Sequence, residues 1–325
     1  MIEFERRDSG RSNRFALVMA GCLFAAFGYL ALFAGFTGGS DFATFGAMMA
    51  IPFCVGALFT HGAGTYSPLG CLVTPAILLA LCVGLVNLGM EGLICVAMIL
   101  PIWIIAGLGG GLTALLSRSW MVDESEARTR TYAVGLAVLP FVLIYAETAA
   151  PPEWETREVK RSVIVEASPS QIWPQLVSIP DIAPGEGLAN PTQDWLGVPR
   201  PSSARLVERN GRFIREAQWG DRVRFEEIVT DLSPHNSIGW NFAFPDGSVQ
   251  AHTDRHIDPD GDLLKIETGR YDLARRKDGR TTVTLTTSYR MRTRLGWYLG
   301  WWGELLLGDV QENVLHIVRA RSEAG

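Results

Sequence analysis

Ala149-Ala150-Pro151-Pro152-Glu153 divides this 325-residue chain into two stretches suited to different solvents. Upstream, over residues 15–148, carboxylates, lysines and arginines are confined to Asp41, Glu91, the segment 118–130 and Glu147. Downstream, from Ala150, 22 Lys plus Arg stand against 25 Asp plus Glu, the surface balance of a water-soluble domain. That near-neutrality excludes a nucleic-acid partner, which calls for a basic face. The whole-chain figures of 19% charged and 48% hydrophobic residues are averages of two unlike halves.

A run of about 18 or more apolar residues can cross a hydrocarbon core about 30 Å thick. Runs at 15–37, 42–60, 71–88, 93–116 and 131–148 predict a transmembrane domain of about five helices over 15–148, preceded by a short cytoplasmic N-terminus, 1–14. Pro140 interrupts the fifth run, and Glu147 lies near its end. Arg6, Arg7, Arg11 and Arg14 would also suit a cleaved signal peptide, but the length of the first run and the further runs behind it favour a membrane span. The same arginines, with Arg118, Arg128 and Arg130 between the fourth and fifth runs, put the N-terminus inside, because Lys and Arg collect in cytoplasmic loops. An odd number of spans then carries the C-terminal half to the periplasmic side of a bacterial inner membrane; an even number reverses this. The spans also offer a surface for homo-oligomer contact.

Cys22, Cys54, Cys71, Cys82 and Cys95 all fall in or beside apolar runs, so they suggest packing residues and no disulfide framework. Gly107-Leu108-Gly109-Gly110-Gly111 lies inside a run and lacks a following lysine, so close helix packing or a kink explains it better than a phosphate loop. The middles of the runs carry no charge, which removes the usual mark of a proton relay.

After a linker at 149–157, Val159, Val163 and Val165 alternate with polar neighbours in the manner of a half-buried strand, with Arg161 breaking the apolar face. Ser168 and Pro169 form an N-cap and first position for a short helix. Strands are predicted at 204–208, 213–219, 222–231, 237–244, 249–257, 263–274 and 281–293, several of them separated by Asn-Gly or Asp-Gly turns. A stripe of Leu295, Leu299, Trp302, Leu306, Val310, Asn313 and Ile317 has helical spacing over 295–322. One strand, short helices, an antiparallel meander and a long closing helix describe an α+β helix-grip domain over 158–325.

The runs Ala167-Ser-Pro-Ser-Gln-Ile-Trp173, Gly197-Val-Pro-Arg-Pro201, Phe225-Glu-Glu-Ile-Val229, Gly269-Arg-Tyr-Asp-Leu273 and Thr281-Thr-Val-Thr-Leu-Thr-Thr-Ser-Tyr289 resemble the START-like superfamily called SRPBCC. The polyketide cyclase/dehydrase and lipid-transport branch is the most similar. The resemblance covers about 158–322 and leaves the apolar half unexplained. It implies a curved antiparallel sheet around the long helix, with an apolar cavity between them that encloses a hydrophobic or amphipathic ligand. Carriers, receptors, cyclases and hydrolases share this scaffold, so fold alone does not choose among them.

Strand alternation supplies the candidate lining. Phe225 and Glu227 share a face with Val223 and Val229, and Arg215 shares one with Phe213, Ala217 and Trp219. A buried carboxylate without a partner costs several kcal/mol or takes up a proton, so Arg215 is the expected partner of Glu227. The pair reads either as a structural ion bridge or as a polar anchor in an apolar pocket. Trp240 and Phe242, Tyr271, and Leu285, Thr287 and Tyr289 are further inward positions, for which core packing is the alternative. On the long helix, Trp302 lies in the stripe, and Asp309 and Asn313, four apart, either aim at the cavity floor or make local contacts. Trp297 and Trp301 lie off the stripe, facing either the sheet rim or lipid headgroups.

His252 and His256 with Asp254, Asp258 and Asp260 do not supply a converging ligand set, so no metal and no cofactor is expected. Nor is there a Ser/His/Asp set or a nucleotide loop. Two functions remain: a membrane-anchored module that binds or transfers a lipid or other hydrophobic ligand, and a tethered cyclase/dehydrase or hydrolase. The second would use Glu227 as general base and Tyr271 or Tyr289 as proton donor.

Overall fold

The computed structural model describes residues 46–62, 72–88, 92–117, 126–150, 152–253 and 257–324. The first apolar run, 15–37, lies outside the described residues. The chain forms two compact units, the first mainly the helices up to Pro152 and the second mainly Glu153–Arg292 with Gly296–Gly325.

In the first unit, a π-helical turn, Gly46–Ala50, leads into α1 (Ile51–Gly62), followed by α2 (Val73–Asn87), α3 (Leu93–Ser117) and α4 (Glu126–Thr148). These elements fall on the second to fifth apolar runs. Among the described residues, α3 is the one helix long and apolar enough to cross a membrane; Met48–His61, Thr74–Gly84 and Val134–Glu147 are shorter apolar stretches. The glycine run is a close helix contact. A Cβ on Gly110 would overlap the Phe53 carbonyl, and one on Gly56 the Gly107 carbonyl, so α1 and α3 approach backbone to backbone. Glu147 Oε2 accepts from the Gly46 backbone N–H at 3.0 Å. Cys54, Cys82 and Cys95 are buried thiols.

The second unit is built on a seven-stranded antiparallel sheet. Strand β1 (Glu155–Val165) is followed by α5 (Pro169–Val177) and α6 (Pro191–Asp194). Strands β2 (Pro201–Arg209), β3 (Arg212–Trp219), β4 (Val223–Ser233) and β5 (Ser237–Ala243) then run as a meander. After α7 (Ser248–His252) come β6 (Leu264–Arg275), β7 (Thr281–Met291) and the long helix α8 (Gly296–Ala324). The strand order β1-β7-β6-β5-β4-β3-β2 means that the chain crosses to the far edge after β1 and walks back to it. Bulges in β2, β4 and β6 interrupt the ladders, and such bulges bend the strands that carry them. With α8 packed against β1 and β7, this is a helix-grip architecture, as the resemblance implied.

Local chemistry accounts for the elements. Asn210 and Gly211 both have positive φ, 54° and 72°, the backbone of a two-residue hairpin turn between β2 and β3. Gln171 Oε1 accepts from the Ser168 N–H at 2.9 Å and closes the start of α5, with Pro169 opening the helix.

The strand predicted at 249–257 is not formed. Gly247 takes a left-handed conformation at φ 62°, and Asp246 Oδ1 accepts from the Ser248 N–H at 2.9 Å. The Ser248 hydroxyl then accepts from the Arg224 N–H at 2.8 Å and donates to its carbonyl at 2.9 Å. This capping turns Ser248–His252 into a helix against β4, and β5 goes on to pair with β6. His252 therefore sits on a helix end, and 254–256 lie outside the described residues.

The arginine that interrupts β1's apolar face also has a partner in α8. Arg161 donates to Glu304 at 2.6 Å and to Glu312 at 2.9 Å. Its guanidinium lies where a Cβ on Gly308 would be, and Arg157 does the same over Gly300. Glycine costs a helix about 1 kcal/mol relative to alanine. Here it admits β1's arginines beneath the helix.

Candidate functional site

The inner face of the sheet, under α8, brings together six of the candidate residues from four adjacent strands. Arg215 on β3 is in direct register with Glu227 on β4, and Glu227 with Phe242 on β5. Arg215 Nη1 donates to Glu227 Oε2. The pair is 3% and 7% exposed, so both charges are out of water. The Arg215 guanidinium also lies 5.3 Å from the Trp240 ring centroid and 5.9 Å from that of Tyr271, within the range of cation–π attraction. Trp240 and Tyr271 are 5.3 Å apart, Trp240 and Phe242 6.0 Å, and Phe225 and Phe242 5.9 Å. One ion pair is thus walled by aromatic rings from β4, β5 and β6.

Burial pushes the Glu227 carboxyl above its ordinary range, with Arg215 acting in the opposite sense. Burial likewise pushes the Tyr271 phenol up to about 12, again countered by Arg215. Both groups are therefore biased towards their neutral forms by the dry surroundings. Arg215 Nε and Trp240 Nε1 are buried N–H groups without a hydrogen-bond acceptor among the described residues. Such groups are rare in folded interiors and mark places where another polar atom fits.

Leu285 and Thr287 continue this face on β7, opposite Tyr271 and Gly269 respectively. The remaining candidates lie elsewhere. Tyr289 packs with Val159, Met291, Leu299 and Leu307, its hydroxyl against Gly303 in the first half of α8. Trp302 is buried nearby in sequence, with its ring 5.1 Å from that of Trp301. Asp309 Oδ2 accepts from the Thr192 hydroxyl at 2.6 Å and its N–H at 3.2 Å. Asn313 Oδ1 accepts from the Leu188 N–H at 2.7 Å, and Nδ2 donates to Gln193 Oε1 at 2.6 Å. Asp309 and Asn313 thus latch the 188–193 segment onto α8. Trp297 and Trp301 are exposed, at 67% and 58%.

Sequence reasoning missed Gln311, which is buried beside the stripe and donates to Thr287 Oγ1 at 2.8 Å and to the Val159 carbonyl at 3.1 Å. No pattern announces a glutamine in this role. Its one signal is that it follows Val310, so it sits at the margin of the apolar stripe. A separate concavity of about 590 Å³ is lined mostly from the outer face of β2–β4 by Arg205, Glu216, Gln218, Arg224 and Glu226. Charges of both signs line it.

Comparison with known sequences finds no matching family model and no matching curated protein. Among solved structures, the di-domain aromatase/cyclase BexL from the BE-7585A biosynthetic pathway is 14% identical with a TM-score of 0.34, over 67% of this chain and 63% of that one. This chain therefore spans less than two thirds of BexL. The Zhui aromatase/cyclase from Streptomyces sp. R1128 is 14% identical, TM-score 0.32, over 52% of this chain and 94% of that one. Truncated norcoclaurine synthase from Thalictrum flavum is 11% identical, TM-score 0.31, over 51% and 95%. At these values the fold rests on the domain's own strand order and closing helix.

Proposed function

We propose that this chain is a membrane-anchored START-like protein that holds a lipid or other hydrophobic ligand between the inner face of its sheet and α8. The observation that carries the reading is the aromatic-walled Arg215–Glu227 pair, dry on all sides and with Arg215 Nε still lacking an acceptor. Apolar walls with a few fixed polar groups are the usual make-up of a small-molecule site: the rings supply affinity and the polar atoms orientation. Helix α3 is the anchor in this proposal, with the other apolar helices around it, and the sheet domain faces the periplasm of a bacterial inner membrane. Tethering raises the effective concentration of the pocket at the surface where hydrophobic ligands partition.

The enzymatic alternative places Glu227 as a general base. Its carboxylate is engaged by an in-register arginine, and Tyr289 lies with a different cluster, so the proton donor left beside it is Tyr271. That arrangement favours an anchor over a base free to take a substrate proton.

The test is organic extraction of purified full-length protein followed by mass spectrometry. A stoichiometric hydrophobic compound, lost in Glu227→Leu and in the space-filling Thr287→Trp, supports the proposal. An interior that takes up nothing from a membrane extract refutes it. Conversion of a substrate abolished by Glu227→Gln, with folding intact, would establish the enzyme instead.

A further inference from the structure

Trp240, Gly269 and Thr287 are successive members of one row across the sheet, each in direct register with the next, and Val159 ends the row on β1. Gly269 has no Cβ, and the Trp240 indole fills the space one would take, with Nε1 2.5 Å from that position. Above Thr287, α8 contributes Gln311, 2% exposed, whose Nε2 donates to Thr287 Oγ1 at 2.8 Å and to the Val159 carbonyl at 3.1 Å. A backbone carbonyl can only accept, so the amide is oriented with Oε1 as its unused atom. Trp240 Nε1 and Gln311 Oε1 are both buried without a hydrogen-bond partner among the described residues. One is a donor held over Gly269, and the other is an acceptor held by Gly269's neighbour. A single hydroxyl can accept from one such group and donate to the other.

We infer that this row recognises the hydroxyl group of an otherwise hydrophobic ligand: the Trp240 N–H donates to the hydroxyl oxygen, and the hydroxyl proton goes to Gln311 Oε1. The inference rests on the reading that the interior takes a hydrophobic ligand, and it adds the ligand's class, an alcohol or phenol. A carbonyl would satisfy Trp240 and leave Gln311 unmet. A carboxylate would set its lone pairs against the Gln311 oxygen, and a pure hydrocarbon would leave both groups unpaired. Only a group that accepts and donates through one atom answers both. Arg215 pairs with Glu227 through Nη1, and both lie on a different row.

The experiment compares 2-naphthol with its methyl ether, 2-methoxynaphthalene, binding to the full-length chain in nanodiscs, followed by quenching of tryptophan fluorescence. Partition into lipid is common to all variants, so the quantity read is the naphthol-to-ether affinity ratio relative to that of Gln311→Met and Thr287→Val. We expect the ratio to fall about tenfold in Gln311→Met, through weaker naphthol binding alone, and to fall in the same direction in Thr287→Val, which releases the glutamine. Unchanged ether affinity reports a folded variant; should Gln311→Met lose both probes, Thr287→Val decides. An equal ratio in wild type and folded variants overturns the hydroxyl assignment, the result expected if the row merely holds a water molecule. Failure of both probes to bind the wild type overturns the underlying reading as well, whereas ether binding with an equal ratio overturns the hydroxyl assignment alone.

Discussion

Arg215→Leu removes the cation from a pair that is 3% and 7% exposed and leaves Glu227 facing Phe225, Phe242 and Trp240. Breaking a buried pair from one side costs about 3–5 kcal/mol, most of it the penalty of the stranded charge. For a domain of this size each kcal/mol is worth about 2–4 °C, so the melting midpoint should fall by about 6–20 °C at neutral pH. The pH dependence has a definite sign. Burial already raises the Glu227 carboxyl above its ordinary value of 4.5, and Arg215 is what holds it down, so the variant raises it further. A folded state that binds the proton more tightly than the unfolded chain is stabilised fully below about 4.5 and loses that stabilisation as pH rises through the folded value. The deficit of Arg215→Leu should therefore shrink on acidification from about pH 8 to about pH 5. Arg215→Leu/Glu227→Leu should recover most of the loss, because two packed apolar side chains replace the pair. The assay is thermal unfolding of the full chain in detergent, followed by near-ultraviolet circular dichroism, which reports the Trp240 and Tyr271 environments. A deficit that grows on acidification, or a double variant no better than the single one, would refute this account of the interior.

Three further perturbations probe the same architecture. Gly269→Ala puts a methyl group into the Trp240 indole; overpacking of this kind costs about 1–3 kcal/mol, read as a lower melting midpoint with altered near-ultraviolet dichroism. Asn313→Ala strands the Leu188 N–H, at about 1–3 kcal/mol, and leaves Gln193 Oε1 with Asn190 Nδ2 as its donor, so hydrogen exchange should accelerate over 186–193 while the β5–β7 core stays protected. In alkaline titration at the phenolate band, the difference between wild type and Tyr271→Phe should rise at about 12. Because the folded value lies above the ordinary 10.0, the protonated phenol stabilises the fold fully below that pH and loses this as pH rises towards the folded value; a difference titrating near 10.0 would contradict the burial of this ring.

Much of this architecture was legible in the chain because two periods are so different. Strand alternation put Arg215 and Glu227 each among the apolar neighbours of its own strand, and the register then set them opposite each other. The apolar runs located α1 to α4 for the same reason: runs that long and uncharged leave few alternatives to helix. What could not be read was three-dimensional partnership. Asp309 and Asn313 occupy stripe-edge positions whether they face an interior or a loop, and only the path of 187–193 decides between them. The 249–257 segment has strand-like spacing, but the Asp246-Gly247-Ser248 cap and its bonds to Arg224 turn its first residues, up to His252, into a helix. Gln311 was invisible because its role depends on a carbonyl and a hydroxyl contributed from distant strands.

The claim that the space under α8 receives a hydrophobic ligand is tested most directly by photolabelling the membrane-embedded full-length chain with a diazirine-bearing hydrophobic alcohol and mapping the adducts by peptide mass spectrometry. The account predicts adducts on the inner-face residues Trp240, Phe242, Tyr271 and Leu285, suppressed by Thr287→Trp. Adducts confined to α1–α4 or to the outer face of β2–β4, untouched by that substitution, would contradict it.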